Sequence, residues 1–533
     1  MTSTAPPHPT SQPELGNFRS VLWAEWTKFR TVRGGVLGLV VAAVLCVAFT
    51  FVVANGSHEG GCIGPPTPGS GPNSPGSNCY TGHPFVPTGP NGEAVADSYQ
   101  FVEQPFTGNG TITAQVTSLT GVIWTGPANE APSLAHTRPR LAAWAKAGIL
   151  LTPTTEQGSP YAAVMATGSH GVRFQYNYTH DQPGLPGAIT NSSARWLRLT
   201  RTGDMITSYD STNGTTWTQI GTTGLAGLPD TVTVGMFVTS PVSFEGSSSG
   251  AATQATATFA HVTLNGHAVS NDWQSHSIGT GRKDYYPTLA AGRTHHSGTT
   301  VVLSGSGDIA LAVNPLAGGG SASSSLWFGL IVALILIIVV ATMFITGEYR
   351  RGLIRTTFTA TPQRGRVLAA KAVVIGAIAF VTGAFAAAVA VPLGEHILKI
   401  NGNYVFPTTA LTELRIIAGS GALVAVTAVA VLALGTIVRT GASAVTAGIV
   451  VFVFPYIVST FGPGGLGTWL FRLTPAAGFS ILGVLPRSAL VDSAYTMGNG
   501  YYPLDPLAGL LVLCAYAAVA LVIATSVLRR RDA

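Results

Sequence analysis

The chain has 533 residues, 46% of them hydrophobic and only 9% charged, with a mean hydropathy of +0.37. That length calls for more than one domain, and the apolar excess puts the chain in the integral-membrane class. The formal net charge of +6 is small, and the basic residues gather at the ends of apolar runs, which speaks for membrane topology and against a nucleic-acid surface.

Residues 1–33 form a tail and an amphipathic helix. In FRSVLWAEWTKFRTVR, residues 18–33, Leu22, Trp26 and Phe29 share one face at i, i+4 and i+7, with Trp23 beside them. Glu25 and Lys28 lie toward the other side, and Arg30 and Arg33 close the segment. A helix with tryptophans and a basic flank lies in the membrane interface.

Six stretches reach the roughly 20 residues needed to cross a hydrocarbon core. They are residues 34–54, 326–346, 367–391, 415–438, 442–461 and 507–528. An even number puts both termini on one side. That side carries fourteen Lys/Arg near span ends, and the short loops opposite carry four, Lys399, Arg415, Arg472 and Arg487. Both termini are therefore expected to be cytoplasmic. Residues 34–54 do not suit a cleaved signal peptide, because the apolar run is too long and 33 residues precede it. The span interiors hold almost no ionisable side chains, so the buried acids and bases of an ion-coupled carrier are missing. Gly and Ala dominate instead, as in AAKAVVIGAIAFVTGAFAAAVAV, and such seams allow close helix packing or dimerisation.

Between the first two spans lie about 270 residues, expected outside the cytoplasm. Residues 55–97 are a Pro/Gly/Ser-rich linker too poor in apolar side chains for a core. It holds Cys62 and Cys79, which an outer location permits to pair as a disulfide, whereas Cys46 and Cys514 lie in spans. Over residues 98–266 the pattern becomes short alternating strands: ITAQVTSL, AKAGILLT, YAAVMATG, GVRFQYNY, the hairpin RWLRLTRTGDMITSYDSTNGTTWTQIG, TVTVGMFVTS and ATATFAHVTL. Residues 210–214, DSTNG, read as a hairpin turn with Asn-Gly at its tip. Regular strands with no helical period give a β-sandwich. Asp204 and Asp210 flank a strand and read as turn-stabilising carboxylates, and no Glu-x-Asp-x-x-Glu run of a jelly-roll glycosidase occurs. Trp196 and Trp217 alternate with core residues and read as packing. Residues 267–325 are a second linker with one strand-like piece, TTVVLSGSGDIALAV, residues 299–313, and its His295 and His296 lack a third ligand at metal spacing. No G-x-x-x-x-G-K-[ST] occurs anywhere, so ATP would be hydrolysed by another polypeptide. No metal, cofactor or catalytic residue is expected.

The loop after the second span, GEYRRGLIRTTFTATPQRGRVLAAK, residues 347–371, packs six Lys/Arg between two apolar runs. Glu348, Arg351 and Arg355 are expected on one helical face at i, i+3 and i+7, with Leu353, Ile354 and Phe358 as the apolar complement. Pro362 ends that helix before another begins near Arg364. Residues 462–506 are apolar but interrupted by Pro475 and Gly478, which suits re-entrant or interfacial outer helices. Residues 529–533 form the second tail.

The order of Glu348, Gly352, Arg355-Thr356, Pro362, Arg364 and Lys371 resembles the cytoplasmic coupling loop of ABC type-2 transporter permeases. Residues 24–28, AEWTK, resemble the elbow helix that precedes the first span in the same family. The resemblance implies a six-helix permease domain in a bacterial plasma membrane, driven by a separate ATPase subunit docked on residues 347–366 and paired with a second permease subunit. Glu348, Gly352, Arg355, Thr356, Pro362, Arg364 and Lys371 would then belong to the docking loop, and Glu25 and Lys28 to the elbow. The long segment between spans 1 and 2 departs from the family, where that loop is short. Its strand order resembles concanavalin A-like jelly-roll domains of the carbohydrate-binding kind, which implies a glycan as a possible partner. A membrane-anchored glycan receptor without transport is the rival reading.

Overall fold

The computed structural model describes residues 18–57, 60–63, 78–81, 87–126, 133–189, 193–243, 250–268, 273–279, 293–297, 300–312, 319–320, 322–360, 363–401, 403–461, 464–485, 487–494, 497 and 500–530. Two short sequences of structure alternate along it: helices, then a long run of strands, then helices again.

Helix α1 (Phe18–Thr31) breaks at Val32 before α2 (Arg33–Gly56). After the strands come α3 (Ala322–Arg350), α4 (Leu353–Ala360), α5 (Arg364–Ile400) and α6 (Ala410–Val438). They are followed by α7 (Gly441–Phe452), α8 (Phe454–Phe461), α9 (Gly464–Leu473) and α10 (Pro506–Arg530). Among the described residues, six helical segments are long and apolar enough to cross a membrane: Arg33–Gly56, Leu326–Arg350, Arg364–Ile400, Ala410–Val438, Gly441–Thr460 and Pro506–Arg530. The fifth is split at Val453, next to Pro455, whose missing N–H cannot continue the helical ladder. The bundle core is built from these helices, and its contacts depend on small residues. At Gly329 of α3 a Cβ would collide with the Cys46 carbonyl of α2, so only glycine permits that approach. Between α9 and α10 the chain makes a fully buried 3-10 turn, Pro475–Leu482.

The strands form two facing antiparallel sheets. One runs, edge to edge, His180–Pro183, Val172–Tyr176, Ala162–Thr167, Lys146–Thr152, Thr231–Thr239, Tyr99–Thr107 and Gln274–Ile278. The other runs Thr218–Gly224, Met205–Ser211, Arg195–Thr202, Gly110–Trp124, Thr253–Leu264, Thr300–Gly305 and Arg293–Ser297. The core between them includes Val102, Ile149, Val164, Phe174, Leu197, Leu199, Val234 and Phe259. In Arg195–Thr202 the buried and half-buried residues alternate, so Leu197 and Leu199 point inward while Trp196 and Arg198 point outward. All seven segments read as strands from the sequence lie in strands.

Two local readings change. Residues 267–325, expected as a linker with one strand-like piece at 299–313, supply Gln274–Ile278 and Arg293–Ser297 to sheet edges and, within that piece, Thr300–Gly305 beside the second edge. The first of these is exposed along most of its length, and an exposed edge strand lacks the alternation by which strands are recognised. Asn213-Gly214 does not form a tight tip: Asp210 and Ser211 remain in their strand, and the loop runs over residues 212–217 with Asn213 Oδ1 accepting from the N–H groups of Thr215 and Thr216. The tight turn of this hairpin is Gly203-Asp204, where Thr202 pairs with Met205 and Gly203 takes φ +61°. Asp204 and Asp210 do act on turns. Asp204 Oδ2 accepts from Gly227 N at 3.0 Å, and Asp210 Oδ2 accepts from Leu185 N at 2.6 Å.

Outside the inter-sheet core, a second cluster with Tyr99, Phe101, Tyr161, Tyr178, Phe237 and Ile309 covers the back of the first sheet. Two acids are buried near it. Asp308, in the GSGD run, takes a 2.6 Å ion pair from the fully buried Lys146, whose ammonium also donates to the Ile309 carbonyl. Asp97 accepts from Tyr178 Oη and Gly158 N, both at 2.8 Å, and its burial pushes the carboxyl up to about 7 against these two bonds. Because the folded value lies above the ordinary 3.8, the protonated form is favoured by folding. That contribution is fully present below pH 3.8 and is lost as pH rises through 7, each unit being worth about 1.4 kcal/mol. Hydrogen exchange of the peptide covering Gly158 to Tyr178 should therefore be slower at pH 5 than at pH 8 after correction for intrinsic rate. Asp97→Asn should flatten that difference, and an unchanged pH profile in the variant would show that Asp97 is not its source.

Candidate functional site

The charged residues singled out at the ends of spans converge on one place. Lys371, on the second turn of α5, is 0% exposed. Its ammonium meets Glu25 Oε2 of α1 at 2.6 Å and Glu348 Oε1 of α3 at 2.7 Å. Lys28, one turn along α1, meets Glu25 Oε1 at 2.9 Å and Glu348 Oε1 at 3.5 Å, and donates to Thr357 Oγ1 of α4 at 3.3 Å. Two acids and two bases thus join four helices in a charge-balanced knot. Its apolar lining is aromatic: the Lys371 ammonium lies 4.7 Å from the centre of the Phe344 ring, against which Phe29 packs edge-on at 5.4 Å. Burial opposes the charge on Lys28, but Glu25 and Glu348 outweigh it and hold its ammonium above the usual lysine range.

This geometry revises the reading of α1. Val21, Glu25 and Phe29, spaced four apart, form the buried face, while Trp23 and Trp26 are exposed. Glu25 therefore belongs to the inward face, not the polar one, because it answers a buried lysine. The apolar periodicity of the tryptophans marks the face turned away from the protein.

The loop is also not one helix. Gly352 takes φ +69° and its N–H bonds to the Tyr349 carbonyl, which ends α3 and lets α4 start afresh at Leu353. Glu348, Arg351 and Arg355 consequently occupy α3, the turn and α4 and do not share a continuous face. Within α4, Ile354 is buried and Phe358 half-buried against Val21 and Val367, while Leu353 and Thr356 are exposed. Arg364 anchors the other end of the loop by donating to the Leu528 carbonyl of α10 at 2.8 Å, with Phe358 under its guanidinium. Pro362 lies outside the described residues. Of the residues read from the sequence, Glu25, Lys28, Glu348 and Lys371 are brought together. Gly352 and Thr356 stand on the exposed turn and helix beside them. Thr357 was not foreseen, and nothing but its place in the loop could have marked it.

A second concave feature lies on the outward face of the second sheet. Thr111, Thr113, Trp196, Arg198, Trp217 and His261 line a groove of about 690 Å3. The Arg198 guanidinium stacks on Trp217 at 3.7 Å, and Trp196 stacks on His261 at 5.3 Å. Trp196 and Trp217 do pack, but on this open face and not in the core. The alternation in RWLRLT was the available signal.

No family model matches the sequence, and no curated protein matches it. Among solved structures, the chain is similar to scytalido-glutamic peptidase with a transition state analog inhibitor, at 11% identity and TM-score 0.25, over 39% of this chain and 98% of that one. The same peptidase with a peptide based transition state analog gives 12% identity and TM-score 0.24 over the same shares. A functionally unknown protein from Saccharomyces cerevisiae gives 14% identity and TM-score 0.20 over 34% of this chain and 83% of that one. Likeness at this level says nothing about activity.

The knot makes a measurable demand. Lys371→Met leaves Glu25 and Glu348 buried without their main partner, which typically costs about 3 to 5 kcal/mol. The variant should melt well below the parent in detergent, and adding Glu25→Gln should recover part of the loss. A Lys371→Met midpoint equal to the parent's would mean that the charges are solvated and tie nothing.

Proposed function

We propose that this chain is the membrane-spanning subunit of an ABC type-2 transporter, an exporter whose ATP is hydrolysed on a separate subunit. The observation that carries the reading is the knot. It links α1, the end of α3, α4 and the start of α5, so a push on α4 reaches the elbow helix and two spans without a flexible step. In this reading the ATPase docks on the turn and helix from Arg351 to Thr356, where Arg351, Gly352, Leu353 and Thr356 are exposed and to which Arg355 belongs. Glu348 and Lys371 pass the movement on from inside. The basic ends of the helices face the cytoplasm, the two-sheet region is an extracytoplasmic jelly roll inserted between spans 1 and 2, and a second permease subunit covers exposed apolar residues of α2 such as Leu37 and Val44.

The test is recovery of the ATPase. Arg351→Glu and Leu353→Asp alter exposed residues and should leave the fold intact, while lowering co-purification of the ATPase by about tenfold or more, as loss of interface anchors does. Arg530→Ala, an exposed charge near the chain's end, serves as the control. If both variants retain the ATPase like the parent, or if none co-purifies, the receptor reading takes precedence. That second reading has its own observation in the Trp196, Arg198, Trp217 and His261 groove, whose ring faces and donors suit a glycan.

An extracytoplasmic location also bears on the cysteines. The backbone sets Cys62 and Cys79 directly opposite each other on a two-stranded antiparallel ladder. Opposed residues on such a ladder have Cα atoms about 4.5 to 5.5 Å apart, which is within the range a disulfide spans. We propose that they pair. Alkylation without reductant should then label neither residue in protein taken from intact cells, and labelling of both before reduction would refute the pair.

A further inference from the structure

At the opposite end of the bundle from Lys371, the first turns of α6 and α10 meet the buried turn Pro475–Leu482 around a cavity of about 230 Å3. Two polar atoms of its lining residues are buried without a partner, Arg415 Nε and Ser480 Oγ. Ser480 is 0% exposed. Arg415 Nη2 donates to the Gly483 carbonyl, which fixes the guanidinium in place, but among the described residues no carboxylate forms an ion pair with it. Arg487, the other cation of the lining, is half exposed and shares the exposed Asp505 at 3.3 Å.

A buried donor left unpaired destabilises the fold, and a guanidinium held without a counter-charge does so more. Both residues line the same cavity, so the group sought is one that answers a guanidinium and a hydroxyl together. A phosphate presents several acceptor oxygens and a negative charge, and it forms strong charge-assisted bonds with a fixed guanidinium. The surroundings choose its source. Leu411 and Leu414 in the first turns of α6, and Leu507 and Leu511 in those of α10, are all more than 60% exposed. A free anion gains nothing from four exposed leucines, whereas an amphiphile uses both features.

We propose that this cavity holds the phosphate of an anionic phospholipid whose acyl chains lie along α6 and α10. The inference requires that the helices lie in a bilayer, and it is independent of whether the chain transports anything.

The test uses the full-length protein, delipidated in detergent and then titrated with phosphatidylglycerol, phosphatidylcholine or sodium phosphate. Thermal shift and native mass spectrometry give the readouts. Phosphatidylglycerol should raise the melting point and remain bound in preference to phosphatidylcholine. Arg415→Gln should weaken it by about tenfold or more, and Ser480→Ala by about threefold. Arg530→Gln, exposed at the far end, should bind like the parent. Equal retention of the two lipids, unaffected by Arg415→Gln, would reduce the site to general lipid contact and overturn the proposal. So would an equal thermal shift from sodium phosphate alone together with no effect of Leu411→Ser and Leu507→Ser, since that describes a soluble-anion site. If Arg415→Gln does not fold, Ser480→Ala decides: unchanged phosphatidylglycerol binding overturns the assignment.

Discussion

A fully buried ammonium is the constraint on which the helical part of this protein depends. Lys371 cannot be carried into a packed bundle without counter-charge, and the two carboxylates that supply it come from helices more than 300 residues apart in sequence. Everything near the basic end follows from that pairing. Glu25 turns α1 so that Val21 and Phe29 face the bundle and the tryptophans face away. Glu348 fixes the last turn of α3, so that the chain must break at Gly352 before α4 can lie back across Val21 and Val367. Lys28 then bridges to α4 through Thr357 and completes the neutralisation.

The far end of the bundle is held by different means. Asn401 donates to the Ala54 carbonyl, Asn403 Nδ2 donates to the Ser57 carbonyl at 2.8 Å, and Ser57 Oγ donates to Asn403 Oδ1 at 3.0 Å, which tie the start of the long inserted segment to the turn after α5. The end of that segment returns to the same turn, where Gly319–Gly320 pairs in parallel with Tyr404–Val405. The strand region also rests on the bundle, through a small apolar cluster of Trp144, Ala310, Leu490 and Val491. The insertion is therefore seated at both its chain ends and at one face. Apolar contact and neutral amides do at this end what ion pairs do at the other.

How much of this was legible depended on the range of the interaction. The six apolar runs and the strand alternation are local patterns, and they appear where the residues put them. Glu25, Lys28, Glu348 and Lys371 also stood out in the sequence, as charges at the ends of apolar runs. Their mutual contact did not, because nothing in a local pattern tells a charge that meets solvent from one that meets another charge hundreds of residues away. The same limit explains the strands at 274–278 and 293–297, whose own side chains are mostly polar and whose partners on one sheet edge are distant in sequence. It also explains the groove at Trp196 and Arg198, where the alternation gave the face but not the neighbours from the loop at 212–217 and from His261.

The sequence by itself determined that six apolar segments and a strand-rich region exist, because burial of apolar side chains at period 3.6 or 2 is decided within a few turns or a few residues. Only the tertiary structure decided which polar groups would share an interior. The depth of Lys371, the inward turn of Glu25, the pairing of Lys146 with Asp308 and the two orphaned donors of Arg415 and Ser480 all arise when distant segments exclude water together. Solvation is a property of the assembled interior, and no single segment carries it.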